Sequence, residues 1–371
     1  MLKTVHLFYP SFEKGGATKN LLRIVNFLLK KKIKVFLFSR GAKKNNFIKN
    51  KNLTIVNTKP LKKLNFLPIR WNLAISSVLN LNFYIKKNNK NSIIFSMQSH
   101  IPAIIVAKIN QMKIVIRNSE EPISATLYAD NKILGFLVLF LKILFYNFAD
   151  KIIAISTKSK NSLQKIVIFK NIITLIYNPY LEKILKIKKV KKNKFDNFNI
   201  LSIGRLTKQK NFPLLINAII KLSNKFNKIN LLIIGDGHDK KNLINKTKDY
   251  KNIKIIKWQK KLNNYYLNSD LFILSSYYEG LPNVLIDAMN YEIPIISTDC
   301  SGATDILQKN SGGFIIPINN QKELEKKIIF IMKNYSIAKR KIIKAKRKIY
   351  MFSDTNLIKY YELFCNISIH K

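Results

Sequence analysis

The chain is poor in cysteine, in acid and in arginine, and each shortage removes a class of explanation. Two cysteines among 371 residues, Cys300 and Cys365, supply no disulfide framework, so the fold has to rest on its core. Twenty Asp and Glu face 66 Lys and Arg, a formal net charge of +46. Only seven of the basic residues are Arg, at 23, 40, 70, 117, 205, 340 and 347, and the other 59 are Lys. A nucleic-acid-binding surface gathers arginine and aromatic residues in one place. Here Lys, Asn and Ile run through the whole chain with no single basic stripe, so no nucleic-acid partner is expected. A genome-wide codon bias gives that pattern without any ligand; attraction to an anionic membrane leaflet is compatible with it. There is no Asp-x-Asp pair, and the histidines at 6, 100, 238 and 370 show no ligand spacing, so neither a metal nor another cofactor is expected.

Long apolar runs are missing too. The most apolar stretch, Ile133 to Ala149, is interrupted by Lys142 and Asn147 and falls short of the roughly 20 residues of a spanning helix. It reads as a buried helix, with a membrane-leaning face as the alternative. Met1 to Tyr9 lacks the apolar core and cleavage site of a signal peptide. The expectation is a cytoplasmic protein, with peripheral contact at the inner face of the cell membrane left open by the charge.

What is present is alternation. With 47% hydrophobic residues the chain can bury sizeable cores, and its length fits two domains. Val5 to Tyr9 is a β-branched and aromatic run, followed by Gly15-Gly16 and a helix carrying Leu21, Leu22, Val25, Leu28 and Leu29 at helical spacing. Further strands are predicted over Lys34–Phe38, Leu53–Val56, Ile93–Ser96, Lys113–Arg117, Ile152–Ser156 and Ile172–Ile176. Tyr177-Asn178-Pro179 breaks the pattern, and a very basic segment follows. A second set covers Ile200–Ile203, Leu231–Ile234, Asn252–Ile256, Leu271–Leu274, Ile293–Ser297 and Gly313–Ile316. Such alternation predicts an α/β chain of two doubly wound parallel-sheet domains, with a ligand cleft at the carboxyl ends of both sheets. The predicted bounds are 1–180 for the first domain, 181–198 for a basic linker and 199–350 for the second, leaving a helical tail over 351–371.

The chemistry concentrates in Ser275 to Leu307, SSYYEGLPNVLIDAMNYEIPIISTDCSGATDIL. Glu279 and Asp287 stand eight positions apart around Gly280, Pro282 and Asn283. A Gly-Leu-Pro turn follows an apolar strand and a helix begins near Pro282, which aims backbone N–H groups at a helix N-terminus where anions bind. A ligand with both hydroxyls and phosphates suits that arrangement. The second element is Ile203-Gly204-Arg205-Leu206-Thr207-Lys208-Gln209-Lys210-Asn211, between a strand and a helix. It sets Arg205, one of only seven arginines, and Lys210 on a strand-end turn. Gly235-Asp236-Gly237 is an incomplete dinucleotide motif, since Lys240 stands where a third Gly would be; it reads as a strand-end turn.

The run Glu279-Gly280-Leu281-Pro282-Asn283-Val284-Leu285-Ile286-Asp287-Ala288 resembles the signature of the GT-B glycosyltransferases, and more closely the retaining family 4 members of bacterial surface-polysaccharide type. The family usually has Glu where Asp287 stands, one methylene longer. The resemblance implies two facing Rossmann-like domains, the first for the acceptor and the second for the nucleotide-sugar, with the tail crossing back onto the first. It implies transfer from a nucleotide-sugar, UDP-linked in many relatives, to a glycan or polyprenyl-linked acceptor. Glu279 would hold the donor sugar's hydroxyls, and Arg205 and Lys210 the diphosphate. Gly280, Leu281, Asn283, Val284 and Leu285 would present backbone N–H groups, Asp287 would bind the ribose with a weakened reach, and Trp258 would flank the base. Gly16 would let backbone approach the donor phosphate. Relatives carry a His after the strand matching Lys113–Arg117; this chain has Arg117-Asn118-Ser119-Glu120-Glu121 instead. His100, Glu120 and Glu121 are therefore the acceptor-side candidates. The alternatives are a nucleotide-sugar 2-epimerase of similar fold and a basic nucleic-acid-binding protein.

Overall fold

The computed structural model describes residues 2–12, 15–67, 69–87, 91–187 and 197–369. Part of the expected linker, residues 188–196, lies outside the described residues, as do His370 and the last residue of the tail. Two compact units are present. The first comprises Met1–Thr126, Ile133–Tyr180 and Phe352–Lys371, and the second Leu127–Lys132 and Leu181–Met351.

The first unit is built on a seven-stranded sheet: β1 (Thr4–Ser11), β2 (Lys34–Arg40), β3 (Leu53–Asn57), β4 (Ser92–Ser96), β5 (Lys113–Asn118), β6 (Lys151–Ala154) and β7 (Ile173–Leu175). The connecting helices are α1 (Gly16–Lys30), α2 (Ile69–Lys87), α3 (His100–Ile109), α4 (Pro122–Leu127), α5 (Lys132–Phe145) and α6 (Thr157–Ile166). The order β3-β2-β1-β4-β5-β6-β7 is parallel throughout. Successive side chains alternate between two buried faces, as strands covered on both sides require. Val5, Leu7 and Tyr9 enter one core with Leu21, Val25 and Leu28 of α1. Phe8 enters the other, with Phe36, Phe38 and Leu81 of α2.

The second unit repeats the plan with six parallel strands: β8 (Phe198–Ile203), β9 (Ile229–Ile234), β10 (Ile253–Ile256), β11 (Leu271–Leu274), β12 (Ile295–Thr298) and β13 (Phe314–Ile316). Their order is β10-β9-β8-β11-β12-β13. Its helices are α7 (Phe212–Ser223), α8 (Lys240–Thr247), α9 (Asn263–Leu267), α10 (Asn283–Asn290), α11 (Ala303–Ile306), α12 (Gln321–Lys333) and α13 (Tyr335–Lys346). The final helix, α14 (Thr355–Ile369), belongs to the first unit. Leu357, Tyr360, Phe364 and Ile367 of α14 share a core with β1, and the Phe364 ring lies 4.8 Å from that of Phe95 on β4.

Each predicted strand segment is a strand in the structure. Both sheets have the doubly wound order in which the path reverses beside the first strand, between β1 and β4 and between β8 and β11. Ligands of such sheets bind outside the strand carboxyl ends at that reversal.

One expectation is corrected. Residues 133–149 were expected to be buried, yet most of α5 is exposed, and its Lys142 is the side chain turned inward. The physical reason is a half-exposed acid just after β5: Lys142 Nζ donates to Glu120 Oε1 at 2.8 Å, which turns the lysine side of the helix toward the protein.

Candidate functional site

The reversal point of the second unit carries the segments singled out in the sequence. β8 ends at Gly204, and the chain turns through Arg205 to a short 3-10 turn, Lys208–Lys210. Asn211 then takes a left-handed φ of 46° and starts α7, with Pro213 in its first turn. A Cβ on Gly204 would sit 3.2 Å from Lys210 Cε, so the lysine stem lies across the glycine. β11 ends beside β8, and Ser275 Oγ donates to the Lys210 carbonyl at 2.8 Å. Tyr277 N–H donates to the Gln209 carbonyl at 2.9 Å, and Gln209 Nε2 returns a bond of 2.9 Å to Tyr278 O. The turns after β8 and β11 are therefore laced together through backbone groups.

That lacing brings Lys210 onto Glu279. The ammonium donates to Glu279 Oε1, and the two side chains are only 13% and 11% exposed. Ser276 Oγ donates to the same oxygen at 2.7 Å, and Thr298 Oγ1 fixes the Ser276 carbonyl at 2.6 Å. Ser276 and Thr298 were not anticipated; an acid three residues after a strand-end serine was the available signal. Arg205 stands on the same turn but is exposed, and no hydrogen bond or ion pair engages its guanidinium among the described residues. Thr207 Oγ1, on the turn between them, is buried without a hydrogen-bond partner among the described residues.

Helix α10 begins at Asn283 with Pro282 extended before it. Leu285, Ile286, Ala288 and Met289 are buried, whereas Asn283, Val284 and Asp287 form a half-buried stripe one turn apart. Gly302, at φ +78°, is packed against the Gly280-Leu281 turn: a Cβ there would meet Gly280 O at 2.7 Å. No L side chain fits that approach at that φ. The Gly235-Asp236-Gly237 turn is likewise a close-packing device. Asp236 is exposed, paired with Lys240 Nζ at 2.8 Å, and accepts from Trp258 N–H at 2.9 Å, which fixes the backbone from which the half-exposed Trp258 projects. Cys300 is buried nearby. Burial first, and then the Glu279 carboxylate, push its thiol up to about 12, so it stays protonated and offers no nucleophile.

In the first unit, Gly16 opens α1 directly after the β1 turn, and His100, Glu120 and Glu121 are reached through β4 and β5. Glu121 is occupied as a helix cap: its two oxygens accept from Ile123 N at 3.1 Å and Ser124 N at 2.7 Å. Glu120 remains half exposed, held by Lys142. Arg117 is fully buried and donates to Tyr360 Oη at 3.1 Å, to Ser119 Oγ at 2.6 Å and to Asn178 Oδ1. His100 Nδ1 lies 2.9 Å from Ser96 Oγ. Burial first, then the Lys142 and Arg117 charges, push the His100 imidazole down to about 3. Between its ordinary value of 6.5 and about 3, the unfolded chain takes up a proton that the native histidine refuses. Stability therefore falls as pH drops through that window and is untouched by this group above it. His100→Gln is expected to flatten the fall in Tm between neutral and mildly acid pH. An equally steep fall in the variant, measured by circular dichroism melts, would remove His100 as its source.

Among the described residues no group of three His, Cys, Asp or Glu side chains is placed to hold a metal ion. The cations at hand are Lys210 and Arg205, and the acid between them and α10 is Glu279.

Two parallel-sheet units of this order define the GT-B architecture of glycosyltransferases. Residues 183–349, which lie within the second unit, match the family model for glycosyl transferases group 1. The chain is 34% identical over 182 residues to the amylovoran biosynthesis glycosyltransferase AmsD of Erwinia amylovora, covering 47% of this chain and 50% of that protein. It is 25% identical over 354 residues, 93% of each chain, to a Campylobacter jejuni protein described as GalNAc-alpha-(1->4)-GalNAc-alpha-(1->3)-diNAcBac-PP-undecaprenol alpha-1,4-N-acetyl-D-galactosaminyltransferase. The fold superposes on Anabaena HepE, a structure in complex with UDP and glucose, with a TM-score of 0.75 at 18% identity over 98% of this chain and 100% of that one. The chain spans about half the length of the first curated relatives it matches.

Proposed function

We propose that this chain is a retaining glycosyltransferase that moves a sugar from a UDP-sugar to a glycan or polyprenyl-linked acceptor in polysaccharide assembly at the cytoplasmic side of the membrane. The observation that carries the reading is the Lys210–Glu279 pair at the β8/β11 reversal, directly before α10. Support for the donor comes from HepE, whose structure holds UDP and glucose. Support for a lipid-linked acceptor comes from the Campylobacter relative, whose name specifies an undecaprenol diphosphate glycan.

In this reading the donor's pyrophosphate lies against Lys210 and Arg205, and backbone N–H groups from Gly280 to Leu285 hold sugar and phosphate. Glu279 accepts hydrogen bonds from sugar hydroxyls, Asp287 from the ribose, and Trp258 flanks the base. The bond from the anomeric carbon to the β-phosphate oxygen breaks, and its electron pair leaves with the diphosphate. The acceptor oxygen bonds to the same carbon from the same face, and its proton passes to the departing phosphate oxygen. Lys210 and Arg205 stabilise the charge that grows on that oxygen, which is larger in the transition state than in the bound donor. The charge neutralisation is assigned to these two side chains and to no metal ion.

The test separates binding from chemistry. UDP at about a hundredfold excess over its Kd is expected to stabilise the native state by about 2.7 kcal/mol. Glu279→Gln is expected to keep most of that shift while kcat falls by about two to three orders of magnitude. Turnover in EDTA is expected to match turnover without it. Near-normal kcat in Glu279→Gln would strike that residue from its role, and isomerised sugar from donor alone would replace transfer by epimerisation.

A further inference from the structure

Helix α5 is built inside out. Ile133, Phe136, Leu137, Phe140, Ile143 and Leu144 recur every three or four positions, which places them along one side. All six are exposed, Ile133 at 84% and Phe140 at 56%. The opposite side faces the protein: Lys142 is turned in to Glu120 at 2.8 Å, Leu139 packs on the core of the first unit, and Thr126 Oγ1 donates to the Gly135 carbonyl at 3.4 Å. The apolar stripe continues past the helix. Asn147 Oδ1 accepts from Ile168 N–H at 2.7 Å, which sets exposed Ile168 and Phe169 beside exposed Phe148. α3 packs on the 3-10 turn Tyr146–Phe148 that follows α5 and exposes Ile109 at 73%. Asn110 Nδ2 donates to Asn82 Oδ1 of α2 at 2.7 Å, next to exposed Phe83. Scattered apolar side chains on a surface are ordinary; a set carried by elements that pack on one another, as α2 packs on α3 and α3 on the turn after α5, marks an interaction face.

We propose that this face of the first unit docks on an anionic lipid bilayer, with α5 lying in the plane of the surface and its apolar stripe among headgroups and upper acyl chains. The 14 residues of α5 extend about 21 Å at 1.5 Å per residue, short of the roughly 30 Å hydrocarbon layer. No helix among the described residues is long and apolar enough to cross a membrane. Lying on the surface is the remaining way to bury such a stripe in lipid. Charge decides between lipid and a second copy of the chain. The net charge is +46, and Lys86, Lys108, Lys132 and Lys170 are exposed on the elements that carry the face. Two such surfaces brought together repel, whereas anionic headgroups attract them.

Vesicle co-sedimentation of the full chain tests the proposal without any donor or acceptor, so its outcome is independent of the transfer reaction. The chain is expected to pellet with phosphatidylcholine vesicles containing phosphatidylglycerol, and much less with phosphatidylcholine alone. Phe136→Ser with Phe140→Ser is expected to lower the bound fraction by about tenfold or more, while the lipid-free Tm and circular dichroism spectrum stay at the wild-type values and certify the fold. Three results would overturn the assignment: wild-type chain left in the supernatant with both vesicles, unchanged pelleting of the double variant, or a lipid-free dimer in sedimentation velocity that the double variant abolishes. The last would give the face to a second copy.

Discussion

Lys210→Ala is expected to lower kcat/KM by about three orders of magnitude, the scale on which a preorganised charge acts on a developing anion. The same change leaves Glu279, 11% exposed at its side chain, without its cation and held by Ser276 alone. Stranding one partner of a buried pair costs about 3 kcal/mol, so the variant should also melt earlier. The two effects separate in a double variant, Lys210→Met with Glu279→Gln, which removes both charges. It should recover much of the lost stability and none of the turnover. Arg205→Ala offers the complementary case: an exposed guanidinium with no partner among the described residues can be lost with Tm unchanged, so any fall in kcat/KM reports the reaction alone. Wild-type kcat/KM in both single variants would take the two cations out of the chemistry.

Gly235→Ala is expected to destabilise the second unit by about 3 kcal/mol or more, in the tail reserved for overpacked or strained sites. A Cβ at 235 would lie 1.9 Å from the Gly204 carbonyl oxygen. Both sides of that contact are backbone, so no side chain can rotate away. Gly204 is also the residue across which Lys210 lies, and a shift there displaces the ammonium from Glu279. Gly15→Ala is the contrasting change: among the described residues nothing stands within 4 Å of its Cβ position, and stability should remain within about 0.5 kcal/mol. Urea midpoints for the two variants measure the difference; equal midpoints would show that the strand-end glycines are not in close contact.

The strands were legible because both faces of each sheet are covered, which leaves unbroken runs such as Leu271–Leu274 and Ile229–Ile234 that need no partner to be recognised. The site was legible where local order sets it: the Gly280-Leu281-Pro282 turn and the helix from Asn283 follow from neighbouring residues. The pairing of Lys210 with Glu279 was not, since 69 positions separate them and only the β8–β11 adjacency joins them. Ser276 and Thr298 were hidden for the same reason. Glu121 looked like a substrate ligand because a sequence does not show whether a carboxylate already caps a helix. α5 misled because its apolar residues have the spacing of a core helix, and only the position of Glu120 reveals which side faces in.

A helix that follows the whole second unit in sequence completes the core of the first. Leu357, Tyr360, Phe364 and Ile367 pack with β1 and α1, and Tyr360 accepts from the buried Arg117. During translation the α14 part of that core therefore stays open until residues 355–369 have been made, after all the strands and helices of the second unit. Apolar surface left open for that interval is the kind that exposes a folding chain to aggregation.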